Sequence, residues 1–267
     1  GSEMCIRDRQ VTVTAGEWYH YADYGLGSYL TCHYTVSFGN VKATAYCVQP
    51  SKPGPGDGTY TITRLKDGKT LAKVCYYGTK ASGGEGFFAE KYPDFSTGKR
   101  FIITHLAAAY ANGSSDAFSG ANATGKALAM ELYDYCVKQP DIPDVEMSFS
   151  NGNVKAYIEG NRQRTEEVTF RADAQQTITM KLPSGVKFHN VTTGKTSKEG
   201  ASVEVSGGTK FYLSAPLTQA EDVKGSWSAT MKGSIIKDYS AYKITTGSGT
   251  QDLACLLYTS PSPRDMR

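Results

Sequence analysis

Two short stretches hold side chains that could do covalent chemistry together. Ala45-Tyr46-Cys47-Val48-Gln49-Pro50 ends an extended run, and Phe101-Ile102-Ile103-Thr104-His105-Leu106-Ala107 opens a helical one. A thiol beside an imidazole can become a nucleophile: neutral His105 would accept the thiol proton, and a His105 cation would lower the thiol pKa. That is the dyad logic of cysteine hydrolases and acyltransferases, which needs a third, orienting group that the sequence does not identify. The bland reading stands beside it. A lone strand cysteine is usually a small buried apolar residue, and a lone helix histidine is more often a hydrogen-bonded core residue than a catalyst.

Other candidates are weaker. Cys32-His33 lies on a strand, so the two side chains face opposite ways and do not readily share a metal. A zinc site from Cys47, His105 and either of these is conceivable, but no zinc-finger or C-x-x-C spacing is present, and the expectation is no metal and no cofactor. Cys32, Cys47, Cys75 and Cys136 read equally as two disulfides or four thiols. His20 is expected to pack among aromatics, and His189 to lie on a surface strand. The tyrosine-rich strands could present a sugar- or peptide-binding surface, with cross-strand packing the commoner use.

The elements that must position these residues follow from periodicity. Residues 10–48 read as strands, with Tyr29–Val36 and Val41–Val48 joined by a hairpin turn at Phe38-Gly39-Asn40. The Pro- and Gly-rich stretch 50–58 is a loop. Helices are predicted over 70–78, 99–112 and 125–138, the last two ended by Asn112-Gly113 and by Pro140 and Pro143. From about 144 apolar and polar residues alternate (Val145, Met147, Phe149; Val168, Phe170; Ile178, Met180, Leu182; Val203, Val205; Phe211, Leu213), a half-buried antiparallel pattern. Trp227, Tyr239, Tyr242 and Ile244 are expected to complete that lobe. The fold class is therefore α+β: an antiparallel β-sandwich or barrel with a small helical insert over 10–143, then a second β-sandwich lobe over 144–254.

The order of these motifs resembles the thioester domains of Gram-positive surface adhesins, which pair a Tyr-Cys element near their start with a downstream Thr-Gln-x-Ala helix. The resemblance implies a cysteine sulfur that attacks the glutamine side-chain carbonyl and expels ammonia, leaving an electrophile for a host amine. Tyr46-Cys47 fits the first motif. Thr104-His105-Leu106-Ala107 keeps the frame of the second but carries His105 where the glutamine belongs. Imidazole has no acyl carbon, so it cannot close that thioester. Gln49, two residues from Cys47 in an extended strand, is too close for an unstrained ring. The expectation is an altered Cys47–His105 site, with Tyr46, Gln49 and Thr104 as candidate binding residues around it. The resemblance further implies an extracellular, wall-anchored adhesin module whose anchor lies outside the fragment, monomeric, with a host or matrix surface protein or glycan as partner. The alternatives are a Cys47–His105 hydrolase or acyltransferase, and a structural cell-wall domain.

Composition agrees with a strand-rich extracellular protein and excludes little else. Of 267 residues, 18 are tyrosine and 28 glycine, and a net charge of +3 gives no bulk signal for nucleic acid or membrane. No apolar run reaches the roughly 20 residues a membrane helix needs. Gly1-Ser2 reads as a cloning scar, the segments Met4–Arg9 and Leu256–Arg267 resemble translated sequencing adapters, and residues 1–9 and 255–267 are expected to be non-native or disordered.

Overall fold

The computed structural model describes residues 10–38, 41–79, 86–142, 148–172, 177–219, 226–227 and 238–259. The chain divides into two compact units, residues 1–144 with 238–267, and residues 145–237.

The first unit is built on a closed six-stranded barrel. Its strands are β1 (Gln10–His20), β2 (Leu30–Phe38), β3 (Val41–Cys47), β4 (Gly58–Arg64), β14 (Asp238–Thr245) and β15 (Leu253–Thr259). They close in the order β1-β2-β3-β15-β14-β4, every neighbouring pair antiparallel. Helices α1 (Lys69–Tyr77), α2 (Phe87–Lys91), α3 (Thr97–Ala111) and α4 (Ala123–Lys138) belong to the same unit. The two-residue period of a strand sorts β3 into two cores. Ala43, Ala45 and Cys47 face the barrel interior with Val13, Cys32, Tyr34, Ile62, Leu253 and Cys255. Tyr46 and the following Val48 face outward into the helical layer, against Phe101, Leu106 and Leu132.

Helix α3 is buried on nearly every side, from Gly98 through Ala109. A helix this apolar all round must be sandwiched. Ser96 caps it, its hydroxyl accepting from the Lys99 amide. Gly98 lets it approach closely: a Cβ there would meet the Tyr24 hydroxyl at 2.1 Å and the Tyr19 ring at 2.8 Å. Tyr21–Tyr24 forms a 3-10 turn, ended by Gly25 at φ 68°, a left-handed conformation that glycine adopts without a Cβ clash.

The second unit is a β-sandwich. Its larger sheet runs β5 (Ser148–Phe149), β8 (Val168–Arg171), β12 (Lys210–Pro216), β7 (Arg162–Thr165), β6 (Ala156–Glu159), with β10 (Lys187–Asn190) also on β12. The smaller sheet runs β11 (Ser202–Ser206), β9 (Thr177–Lys181), β13 (Ser226–Trp227). Phe170, Ile178, Met180, Val205 and Phe211 fill its core, as their alternation predicts.

Several expectations are corrected. Tyr239, Tyr242 and Ile244 lie on β14 of the barrel, not in the second lobe, whereas Trp227 does pair with Met180 there. Residues 255–259, expected to lie outside the fold, belong to β15, with Cys255, Leu256 and Leu257 buried. This strand is covered on both faces, by the barrel interior and by the helices, so it reads as a continuous apolar run rather than an alternating one. Strand β4 begins at the end of the expected 50–58 loop and runs through residues for which no element was expected, and the short α2 adds a helix that was not expected. His20 is exposed rather than packed. The expected turn at Gly39-Asn40, and Pro143, Val145 and Met147, lie outside the described residues. Among the described residues no helix is long and apolar enough to cross a membrane.

Candidate functional site

The two motifs do meet, but not sulfur to nitrogen. The His105 ring reaches Cys47 through its Nδ1, which lies 2.6 Å from the Cys47 carbonyl oxygen. A carbonyl can only accept, so Nδ1 carries the proton. In a neutral ring Nε2 is then an acceptor, and the Tyr21 hydroxyl donates to it at 2.5 Å. Both nitrogens are spent, one on backbone and one on a phenol. The imidazole is fully buried, and burial pushes it down from 6.5 to about 4, against smaller upward pulls from the Cys47 carbonyl and the Asp116 carboxylate. The ring is neutral at physiological pH.

The thiol points the other way, into the barrel interior. Burial pushes it up to about 12, although the Thr31 hydroxyl and the Cys32 amide pull it down. Thr31 Oγ1 is itself buried and has no other hydrogen-bond partner among the described residues. A thiol protonated this firmly is not a thiolate nucleophile at neutral pH. The expected dyad is thus replaced by a backbone clamp.

The clamp continues along the chain. Ser114 Oγ donates to the Val48 carbonyl at 2.5 Å. The Val48 amide donates to the Asp252 carbonyl at 3.1 Å. The Gln49 amide donates to Gln251 Oε1 at 3.2 Å, and Gln49 Oε1 accepts from the Asp252 amide at 2.9 Å. Asp116 Oδ2 accepts from both the amide and the hydroxyl of Ser51, at 3.0 and 2.5 Å. Every residue from Cys47 to Gln49, and Ser51 beyond, is tied to α3, to the turn after it, or to the segment leading into β15. Gln49 is therefore a strap between loops, far from any ring chemistry with the neighbouring thiol.

Tyr46 and Thr104 converge on another point. The Tyr46 hydroxyl donates to the Thr79 carbonyl at 2.6 Å, with its ring stacked on Phe101 at 5.0 Å. Thr104 Oγ1 accepts from the Thr79 amide at 2.9 Å and donates to the Arg100 carbonyl at 2.8 Å. Together they fix the chain leaving α1. Tyr21, Ser114, Asp116 and Gln251 were not singled out from the sequence. They lie as far as 202 residues from their partners in the chain, and no local spacing signals them.

The cysteines resolve as thiols. Cys32, Cys47, Cys75, Cys136 and Cys255 are all buried and free. Cys32 Sγ contacts the Gly16 carbonyl at 3.7 Å. His33, beside it in sequence, bonds Thr44 Oγ1 at 3.0 Å and stacks on Phe101. Among the described residues no group of three His, Cys, Asp or Glu side chains could hold a metal. Tyr21, Tyr34, Tyr46 and Tyr242 are fully buried, so these tyrosines pack rather than present a surface.

A family model for the thioester domain matches residues 10–143, half of the chain. This chain belongs to the thioester-domain family. A second model, for the beta sandwich domain associated with thioester domains, matches residues 148–235. Two solved structures are similar. The thioester domain of the Enterococcus faecium TIE86 protein is 15% identical with a TM-score of 0.42, covering 94% of this chain and 91% of that one. The Bacillus anthracis TIE protein is 15% identical with a TM-score of 0.40, covering 95% of this chain and 47% of that one. The chain thus spans about half the length of the Bacillus anthracis protein. No curated protein matches. Within a thioester-domain chain the partner facing Cys47 from α3 is His105, and it faces the carbonyl.

Proposed function

We propose that this chain is the binding module of a Gram-positive surface adhesin that has given up the covalent bond. It would engage a host or matrix protein or glycan non-covalently, as a monomer outside the cell, through a thioester-domain fold whose warhead has become a structural clamp. One observation carries this reading: His105 spends both ring nitrogens on Tyr21 and on the Cys47 carbonyl. A thioester forms when sulfur attacks a carboxamide carbon, makes the S–C bond and releases ammonia. The imidazole supplies neither the carbon nor the leaving group, and the sulfur faces the barrel core.

The Cys47–His105 hydrolase or acyltransferase is the competing reading. Its thiol would have to be ionised near neutral pH by a ring that holds a carbonyl instead. The structural wall domain is the third.

Intact mass, thiol alkylation and adhesion separate them. The expected mass is that of the unmodified chain, Cys47 labels only as the protein unfolds, and His105→Gln leaves its intrinsic reactivity unchanged. The chain is expected to adhere to host or matrix coats and to be released by denaturant. A mass one ammonia lower would restore the thioester. Fast labelling of Cys47 at pH 7 that collapses in His105→Gln would establish the dyad. Failure to adhere to any host or matrix coat would leave the wall-domain reading.

A further inference from the structure

A cavity in the barrel unit, sharing no residue with the Cys47–His105 clamp, has a volume of about 460 Å³, within the range of small-ligand sites. Four cations line it: Arg64, Lys66, Lys69 and Lys73. Among the described residues Asp141 is the only carboxylate in its wall, so the described lining carries an excess of three positive charges, four cations less one anion.

These cations are not equally spent. Lys73 Nζ donates to the Gln139 carbonyl at 2.8 Å and lies 3.8 Å from Asp141. Arg64, Lys66 and Lys69 are exposed, and no ion pair or hydrogen bond engages their side chains among the described residues. Their backbone is nevertheless fixed. Arg64 is held across from Tyr242 in the β4–β14 ladder. The Leu65 amide donates to the Ala241 carbonyl at 3.0 Å. A Cβ on Gly68 would meet Ala241 Cβ at 2.9 Å, so the turn between Lys66 and Lys69 lies tight on β14. The ring of Tyr239, packed on Tyr76 at 5.7 Å, forms one wall.

We propose that this groove is a non-covalent site for an acidic glycan, taking a sulfate or uronate group on Arg64, Lys66 and Lys69 and a sugar face on Tyr239. The proposal rests on the surface-adhesin reading and names its partner class. Apart from Asp141, the charged groups offered are all donors, which suits a ligand made of acceptors. Guanidinium matches a sulfate or carboxylate bidentately, and ammonium groups serve as point charges beside it. An aromatic ring offers an apolar face to the sugar. An acidic peptide is the poorer fit. Extended peptides are commonly held along an exposed strand edge, and β4 and β14, the two strands that reach this groove, lie inside a closed barrel.

The test uses the whole chain and calorimetric titration with a sulfated heparin-type hexasaccharide, a uronate-only oligosaccharide, inorganic sulfate and a poly-glutamate peptide. The two oligosaccharides distinguish sulfate from uronate as the anion. Binding of at least one is expected, weakening with added salt and falling about tenfold or more in Lys66→Glu with Lys69→Glu. Reversal of the exposed Lys42 and Lys195 to Glu, which changes net charge equally, is expected to leave binding within about twofold, and thermal unfolding of both pairs should match the parent. Equal loss in the control pair, poly-glutamate binding as tightly as the sugars, or no oligosaccharide binding would each overturn the site. Adhesion to matrix coats that persists unchanged in the groove reversal would overturn the site while leaving the adhesin reading intact. Absence of adhesion in the parent chain would instead overturn that wider reading.

Discussion

The Cys47–His105 junction and the Arg64–Lys73 groove occupy the same barrel unit and treat polar groups in opposite ways. At the junction each donor and acceptor of the histidine meets a partner from the chain, and no charge remains. In the groove three cations stand exposed without an internal partner among the described residues, on a backbone tied to β14. A site that satisfies itself has nothing left to offer a ligand. A rigid frame with surplus donors does. The lesson is that motif residues mark where a family does its chemistry, while unspent hydrogen-bonding capacity marks where a particular chain can bind.

The contrast is most exposed at His105. Truncation in His105→Ala would leave the Cys47 carbonyl and the Tyr21 hydroxyl buried without partners beside a new cavity, and should cost about 4 kcal/mol in urea unfolding. His105→Gln, which can still donate an amide hydrogen to the carbonyl, should cost less than half as much and should show no loss of ammonia. If His105→Ala were instead neutral in stability but altered adhesion, the junction would be a working site and the contrast would collapse.

Acid titration gives the next largest effect. The folded pKa of His105 lies near 4 against 6.5 unfolded. Between those values the unfolded chain binds a proton that the folded chain refuses, so stability falls as pH falls. It is fully present above about pH 6.5 and lost progressively toward pH 4, amounting to about 3 kcal/mol from this one ring. Comparing denaturation midpoints of parent and His105→Gln across that window isolates the contribution from the carboxylates. Parallel curves would mean that the ring is charged or exposed in the fold.

The smallest effect belongs to the strap beyond Cys47. Ser114→Ala removes the donor to the Val48 carbonyl and should cost about 1 kcal/mol, measured by thermal unfolding. Since the strap serves structure alone, glycan affinity should not change with it.

Much of this was legible in the sequence, and what was not has a common cause. The helices at 70–78, 99–112 and 125–138 fall within two residues of α1, α3 and α4, because their apolar spacing and stop residues are local. The alternation of the second unit was equally plain. The assignment of Tyr242 and Ile244 failed because a period of two serves a barrel as well as a sandwich. Only pairing with β4 and β15 decides between them. At the site, the Thr104-His105 frame correctly brought α3 to Cys47. Whether sulfur or carbonyl would meet the ring depended on which face of β3 turned inward. That is set by Ala43, Ala45 and their barrel partners rather than by the motif. The groove's cations, Arg64, Lys66, Lys69 and Lys73, lie within ten residues of one another, but nothing in their spacing brings Tyr239 to them from a distant strand.

The return of the chain to the barrel at β14 and β15, after the whole second unit, has a consequence for biogenesis. A ribosome must complete the inserted sandwich before the first four strands can find their last two neighbours. Until then β3 and β4 present open edges, the templates on which unfinished sheets aggregate. Secretion of such a chain in the unfolded state, with closure only after release, would spare it that interval. The stretch over which the family is recognised, ending at residue 143, is accordingly shorter than the stretch that folds.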